Sequence, residues 1–219
     1  MRKKTALLCG LLLSGACAQE AEPLRTGDLV FVGIPAGRAP DENGMDAAIS
    51  AATGRKDSLN FIHVAIVDAD SAGVRIIDAT VLRGVDRRPL DTFLHDFTSG
   101  DGPAPVFKVM RLRDAGIAEA AVRRARTRVG LPYDLSFLPD NGALYCSELV
   151  YESYLDADGK PIFPAAPMNF KNAEGEFPRY WQQLFERLGQ EIPQGVPGTN
   201  PQAMSGDSAL YEIRLTHSL

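Results

Sequence analysis

The chain has 219 residues, 45% of them hydrophobic and 23% charged, and a net charge of −5. That length suits one domain with a full hydrophobic core. With an acidic balance and no basic run or arginine stripe, nucleic-acid binding has no electrostatic support.

The first element in chain order is a leader. MRKKTALLCGLLLSGACAQEAEP starts basic at Arg2, Lys3 and Lys4, continues apolar from Ala6 to Leu13, and then turns to small residues. This is the pattern of a secretory signal, too short to span a bilayer. Two processing routes fit. Ala16-Cys17-Ala18 satisfies the small-x-small rule, making residues 1–18 a signal peptide cleaved before Gln19. Alternatively, Cys17 is the lipid-bearing cysteine of a bacterial lipoprotein, with Ser14 where Leu is usual. Both routes predict export, to the periplasm or as a lipoprotein anchored at the outer membrane. Membrane contact is then expected only through a lipid on Cys17. Residues 19–219 are expected to form a single domain.

After the leader, RTGDLVFVGI reads as a central strand, because Leu29 and Phe31 alternate with Val30 and Val32 and both faces are apolar. PAGRAPDENG is a loop and MDAAISAAT a short helix. Phe61 to Val67 and Val74 to Thr80 are two strands joined by the turn DADSAG, a β-hairpin. RPLDTFLHDF is a short amphipathic helix, and VFKVMRL a further strand. GIAEAAVRRARTRVG is a helix with Ile117, Ala121, Ala125 and Val129 at four-residue spacing and Gly130 at its end. LPYDLSFLPDNGALYC is a loop into a helix that begins at Cys146. RYWQQLFERLG is a helix with Trp181, Leu184, Phe185 and Leu188 on one face, flanked by two proline-rich loops. ALYEIRL is a closing strand. This order predicts an α+β fold, a mostly antiparallel sheet with helices packed on it.

Two places carry candidate chemistry. In a symmetric hairpin Val67 faces Val74, so His63 faces Asp78 on the same side of the sheet. A carboxylate there orients the imidazole and stabilises its charged form; a one-residue slip would separate them. A buried structural His–Asp pair is the competing reading. The second place is Cys146. Cys9 and Cys17 belong to the leader, so the mature domain keeps one thiol without an intramolecular partner, in a compartment where disulfides form. Such a thiol is either a reactive group or a small buried hydrophobe. Asn141-Gly142 turns the chain just before the helix, which puts Cys146 in the first turn, where free N–H groups and the dipole favour an anion. A cysteine at a helix start with a carboxylate-oriented histidine follows the logic of a thiol hydrolase. Backbone N–H groups near Cys146, and the Tyr145 hydroxyl, are candidates to hold an oxyanion. Tyr133 is a candidate to line the cleft. Asp28 reads as a turn residue, and Glu148 as a surface or N-terminal-turn charge pointing away from Cys146. Three scattered histidines, His63, His95 and His217, with one cysteine offer no metal-ligand spacing.

GDLVFVG, FIHVAIVDAD, VRIIDAT and YDLSFLPDNGALYCSELVYESY together resemble the circularly permuted papain-fold enzymes of the YiiX/YaeF type, in the NlpC-like superfamily of cysteine peptidases and amidases. The resemblance runs from Gly27 to about Tyr154. As in that family, the histidine strand precedes the cysteine helix. The resemblance implies a permuted papain-like fold, Cys146 as nucleophile and His63 as base. The third member, commonly a glutamate before an alanine, matches Asp78 before Ala79, with a shorter reach. The implied chemistry is cleavage of an amide bond through a thioester, with no cofactor. The implied partner is a peptide or acyl-amide small substrate, and lipid contact is compatible with it. Two alternatives stay open: transfer of the acyl group to an acceptor, and a lipid- or peptide-binding module with a vestigial site.

Overall fold

The computed structural model describes residues 21–36, 43–54, 59–99, 104–216 and 219. The leader, with Cys9 and Cys17, lies outside these residues, as does His217. Six strands make one sheet, in the order β4-β3-β2-β1-β5-β8, and every neighbouring pair is antiparallel. β1 (Leu29–Pro35) is interior, as its two apolar faces predict. Leu29 and Phe31 enter one core layer and Val30 and Val32 the other. β2 (Leu59–Asp70) and β3 (Gly73–Thr80) form the expected hairpin, and β5 (Val106–Leu112) pairs with the far side of β1. The closing strand β8 (Leu210–Glu212) is shorter than its sequence suggests. β4 (Gly84–Pro89) is a strand the sequence hid, because after Val85 it reads Asp-Arg-Arg-Pro with no apolar alternation.

One sheet face carries α3 (Ala118–Thr127) and α4 (Cys146–Ser153), whose Ala121, Val122, Ala125, Leu149 and Val150 are buried against Val64, Ile66 and Ile77. α3 is preceded by a 3-10 turn at Ala115–Ile117 and stops before the expected Val129, which is 40% exposed. The opposite face carries α2 (Leu90–Thr98), with Phe93 buried among Val30, Ala65 and Ile76. A third cluster joins α1 (Met45–Thr53) to α5 (Arg179–Leu188) through Ala48, Trp181, Leu184 and Phe185. The C-terminal proline-rich chain adds the two-residue strands β6 (Ala166–Pro167) and β7 (Pro197–Gly198) and the short α6 (Pro201–Ser205), none of which its composition announces.

The register of β2 matters most for function. Val32 pairs with His63 but Gly33 with Phe61, so Ile62 is an extra residue in β2. Such a bulge re-aims the side chains beside it. Beyond it the alternation reverses. Phe61 joins the layer of Val64 and Ile66, whereas Ala65 and Val67 face α2.

Candidate active site

The β2–β3 turn is tighter than expected. Ser71 and Ala72 alone separate the strands, and Val67 faces Ile76, with Ala69 facing Val74. Continued along the strands, this register sets Asp78 level with Ala65 rather than His63. The shift is two residues, an even number, so both side chains keep the same face and meet diagonally. His63 Nε2 lies 2.8 Å from Asp78 Oδ2. The predicted pairing thus forms, through a neighbouring position instead of the directly opposed one.

Asp78 is fully buried, and its second partner went unforeseen. Arg88 on β4 donates from Nη1 to Asp78 Oδ1 at 2.5 Å and from Nη2 to Oδ2 at 3.1 Å. Arg88 is itself buried, ion-paired through Nε with Asp96 of α2 at 3.3 Å, and set over the Phe93 ring at 5.5 Å. Burial alone would push the Asp78 carboxyl up, but His63 and then Arg88 hold it below the usual range.

Cys146 is the first residue of α4 and is buried, at 5% exposure. Its N-terminal neighbour Tyr145 has extended backbone, φ −91° and ψ 169°, which turns the chain into the helix at this point. The Cys146 side chain interacts electrostatically with the His63 imidazole. Since Nε2 is engaged by Asp78, Nδ1 is the ring nitrogen left for the sulfur. Burial opposes charge on His63, but Cys146 and Asp78 outweigh it and raise its pKa to about 10. Ring centroids of Phe97 at 5.0 Å and Phe93 at 6.3 Å pack against the imidazole. A cysteine on one helix layer and a histidine stacked on the other therefore meet where the bulge in β2 bends the strand.

Glu148, expected as a charge pointing away from the site, is buried at the start of α4, and its Oε2 accepts from Tyr145 N–H at 3.4 Å. Burial and the nearby Asp134 raise its pKa to about 8. Asp46 of α1 also went unforeseen. Burial pushes its carboxyl up, against the pull of the His63 charge. Asp28 is a turn residue as read, accepting from Arg25 N–H, but it also takes two bonds from Arg111. His95 lies in the last turn of α2.

Tyr133 and Tyr145 both line a narrow pocket beside Cys146. Its walls include Ile49, Ile62, Phe137, Met168, Phe170 and Trp181, and among the described residues no Asp, Glu, Lys or Arg lines it. The Tyr145 hydroxyl is already engaged, accepting from Thr199 N–H at 3.1 Å and resting 3.8 Å from Met168 Sδ. That leaves the backbone at the start of α4 as the better-placed oxyanion donor. Within the described residues, no three or more His, Cys, Asp or Glu side chains are grouped to hold a metal ion. No helix there is long and apolar enough to cross a membrane.

Comparison with known proteins agrees with this architecture. A curated relative, the uncharacterized protein YiiX of Escherichia coli K12, is 29% identical over 100 residues, 44% of this chain. The matched stretch spans about half of that relative, 48% of its length. The crystal structure of metalloprotein yiiX from Escherichia coli O157:H7 superposes with a TM-score of 0.65 over 88% of this chain and 97% of that one, at 23% identity, which speaks to the fold. A family model described as permuted papain-like amidase enzyme, YaeF/YiiX, C92 family, matches residues 23–214. With a sheet, a cysteine helix and a histidine strand in permuted order, and a family match over nearly the whole described chain, this protein belongs to the permuted papain-like amidases of the YaeF/YiiX, C92 family.

Proposed function

We propose that this chain is an exported cysteine amidase that cleaves an amide bond through a thioester on Cys146. The observation that carries the reading is the His63 imidazole, held 2.8 Å from the buried Asp78 carboxylate and electrostatically coupled to the Cys146 side chain. The sulfur, as thiolate, attacks the substrate carbonyl. The charge that develops on the carbonyl oxygen meets free N–H groups at the start of α4. The imidazolium of His63 gives its proton to the departing amine, leaving an acyl thioester. Neutral His63 then takes a proton from water, the resulting hydroxide attacks the thioester, and the carboxylic acid leaves as the thiol re-forms. Asp78 holds the ring in the orientation that serves both steps and stabilises its charged form.

The pocket walls favour an N-acyl substrate over a cell-wall peptide. A muropeptide carries ammonium and carboxylate groups, and burying those without partners is costly. Uncharged, largely apolar walls suit an acyl chain instead. Export rests on the leader pattern, with the periplasm or a lipid anchor at Cys17 as the destination.

The test incubates the mature protein, and Cys146→Ala, with N-acyl amino acids and with cell-wall peptides, followed by mass spectrometry. Cleavage of the acyl amides by the first protein only is the expected result. Equal cleavage by both would reject Cys146 as nucleophile. An added amine acceptor distinguishes hydrolysis from acyl transfer by product mass.

A further inference from the structure

His63, Asp78 and Arg88 sit on three successive strands, β2, β3 and β4. Asp86 faces Asp78 directly and Arg88 faces Ile76, so Arg88 approaches Asp78 on the diagonal, as Asp78 approaches His63. The three side chains form an oblique row across one sheet face, and both oxygens of Asp78 are taken by one guanidinium. We propose that Arg88 is a positioning residue of the catalytic machinery, the group that locks the Asp78 carboxylate in place for His63. This rests on the cysteine-amidase reading, in which Asp78 orients the imidazole.

The physical need is clear from the chemistry of an aspartate at this position. Its side chain is short and fully buried, and an isolated carboxylate there is costly to ionise. A planar fork donating to both oxygens fixes the carboxylate rotation and supplies the opposite charge. Oδ2 is shared, at 3.1 Å from Arg88 and 2.8 Å from His63, so the fork sets the position of the atom that holds the ring. Arg88 also lies 3.3 Å through Nε from the Asp96 carboxylate and 5.5 Å over the Phe93 ring. The other charged or titratable groups around the row are Cys146 of α4, Asp46 of α1, Asp96 of α2 and Asp86 of β4.

Alkylation of Cys146 by iodoacetamide reads how well His63 supports the sulfur without any substrate, so it tests this role even if amide cleavage is never found. In the unmodified protein the charged imidazole beside the sulfur should keep the thiol reactive at neutral pH. In Arg88→Met the rate should fall about tenfold there, the order of a strong pairwise coupling. It should recover only on the alkaline side, where thiols ionise unaided. Arg88→Lys keeps the charge but not the fork, and should lose most of the same rate. It also decides the matter if Arg88→Met does not fold, as judged by circular dichroism. In an Asp78→Asn background the Arg88 substitutions should have no further effect. An unchanged or faster rate in both Arg88 variants would overturn the proposal, since repulsion between the guanidinium and the imidazolium would then outweigh the positioning. So would an undiminished Arg88 effect without the Asp78 carboxylate.

Discussion

His63 is the residue on which the pH behaviour turns. An imidazole as buried as this one would ordinarily shed its proton, yet Cys146 and Asp78 raise its pKa from 6.5 to about 10. The sign is that of a raised base: the charged form survives through neutral pH and is lost as pH climbs through about 10. In the proposed mechanism the imidazolium protonates the leaving amine, so kcat/KM for amide cleavage should fall on an alkaline limb with an apparent pKa near 10. Asp78→Asn removes one of the groups that hold the charge, so that limb should move to lower pH and the neutral rate should drop by roughly tenfold to a hundredfold. A pH–rate profile of the two proteins measures both effects. An alkaline limb that does not move would show that Asp78 is only a packing partner.

At the scale of the element, α4 and β2 carry the two candidate reacting groups. α4 keeps a carboxyl group buried at its first turn, and burial with Asp134 raises Glu148 to about 8, well above its usual 4.5. The folded chain therefore holds a proton that the unfolded chain has released, and this is true between about 4.5 and 8. Stability from this group is present at low pH and declines as pH rises across that window. Glu148→Gln keeps an acceptor for the Tyr145 N–H and should flatten the decline, which urea unfolding at pH 5 and pH 8 would measure. In β2 the extra residue Ile62 reverses the alternation next to His63. Deleting Ile62 should put either Phe61 or His63 on the wrong face, and the chain should lose alkylation of Cys146 at neutral pH while keeping its helix and strand content by circular dichroism. Leu149, fully buried in the middle of α4, makes a simpler case. Leu149→Ala should cost about 2–5 kcal/mol in urea unfolding.

For the molecule as a whole, a second buried ion pair ties the strand β5 to the entry of its neighbour β1 away from the site. Arg111 on β5 bonds Asp28, at the entry to β1, at 2.6 and 2.8 Å, and also pairs with Glu22. Asp28→Ala would leave the guanidinium with part of its charge unanswered, and should cost about 3–5 kcal/mol in urea unfolding while the alkylation rate of the folded protein stays unchanged. Much of this architecture was legible in the chain. β1 announced itself through apolar residues on both faces, α5 through its Trp181-Leu184-Phe185 stripe, and α4 through the turn before Cys146. Cys146 and the hairpin histidine stood out as the candidate pair, because both follow from local pattern: residue type, period and turn chemistry. What local pattern does not carry is distance between segments far apart in sequence. β4 has no alternation to reveal it, so Arg88 was invisible until the sheet set it beside Asp78. The register of β2 on β3 was off by two because loop composition does not fix where a turn begins, and only packing of both faces of the sheet selects it. The burial of Glu148 and the uncharged pocket walls, which combine α1, β2, α4 and α5 with the loops beside them, are decided by what the rest of the fold brings together. Sequence alone therefore determined which side chains are candidates for the chemistry, since chemistry belongs to residue type. Tertiary structure decided how they are aimed, charged and enclosed, since those depend on neighbours that only folding supplies.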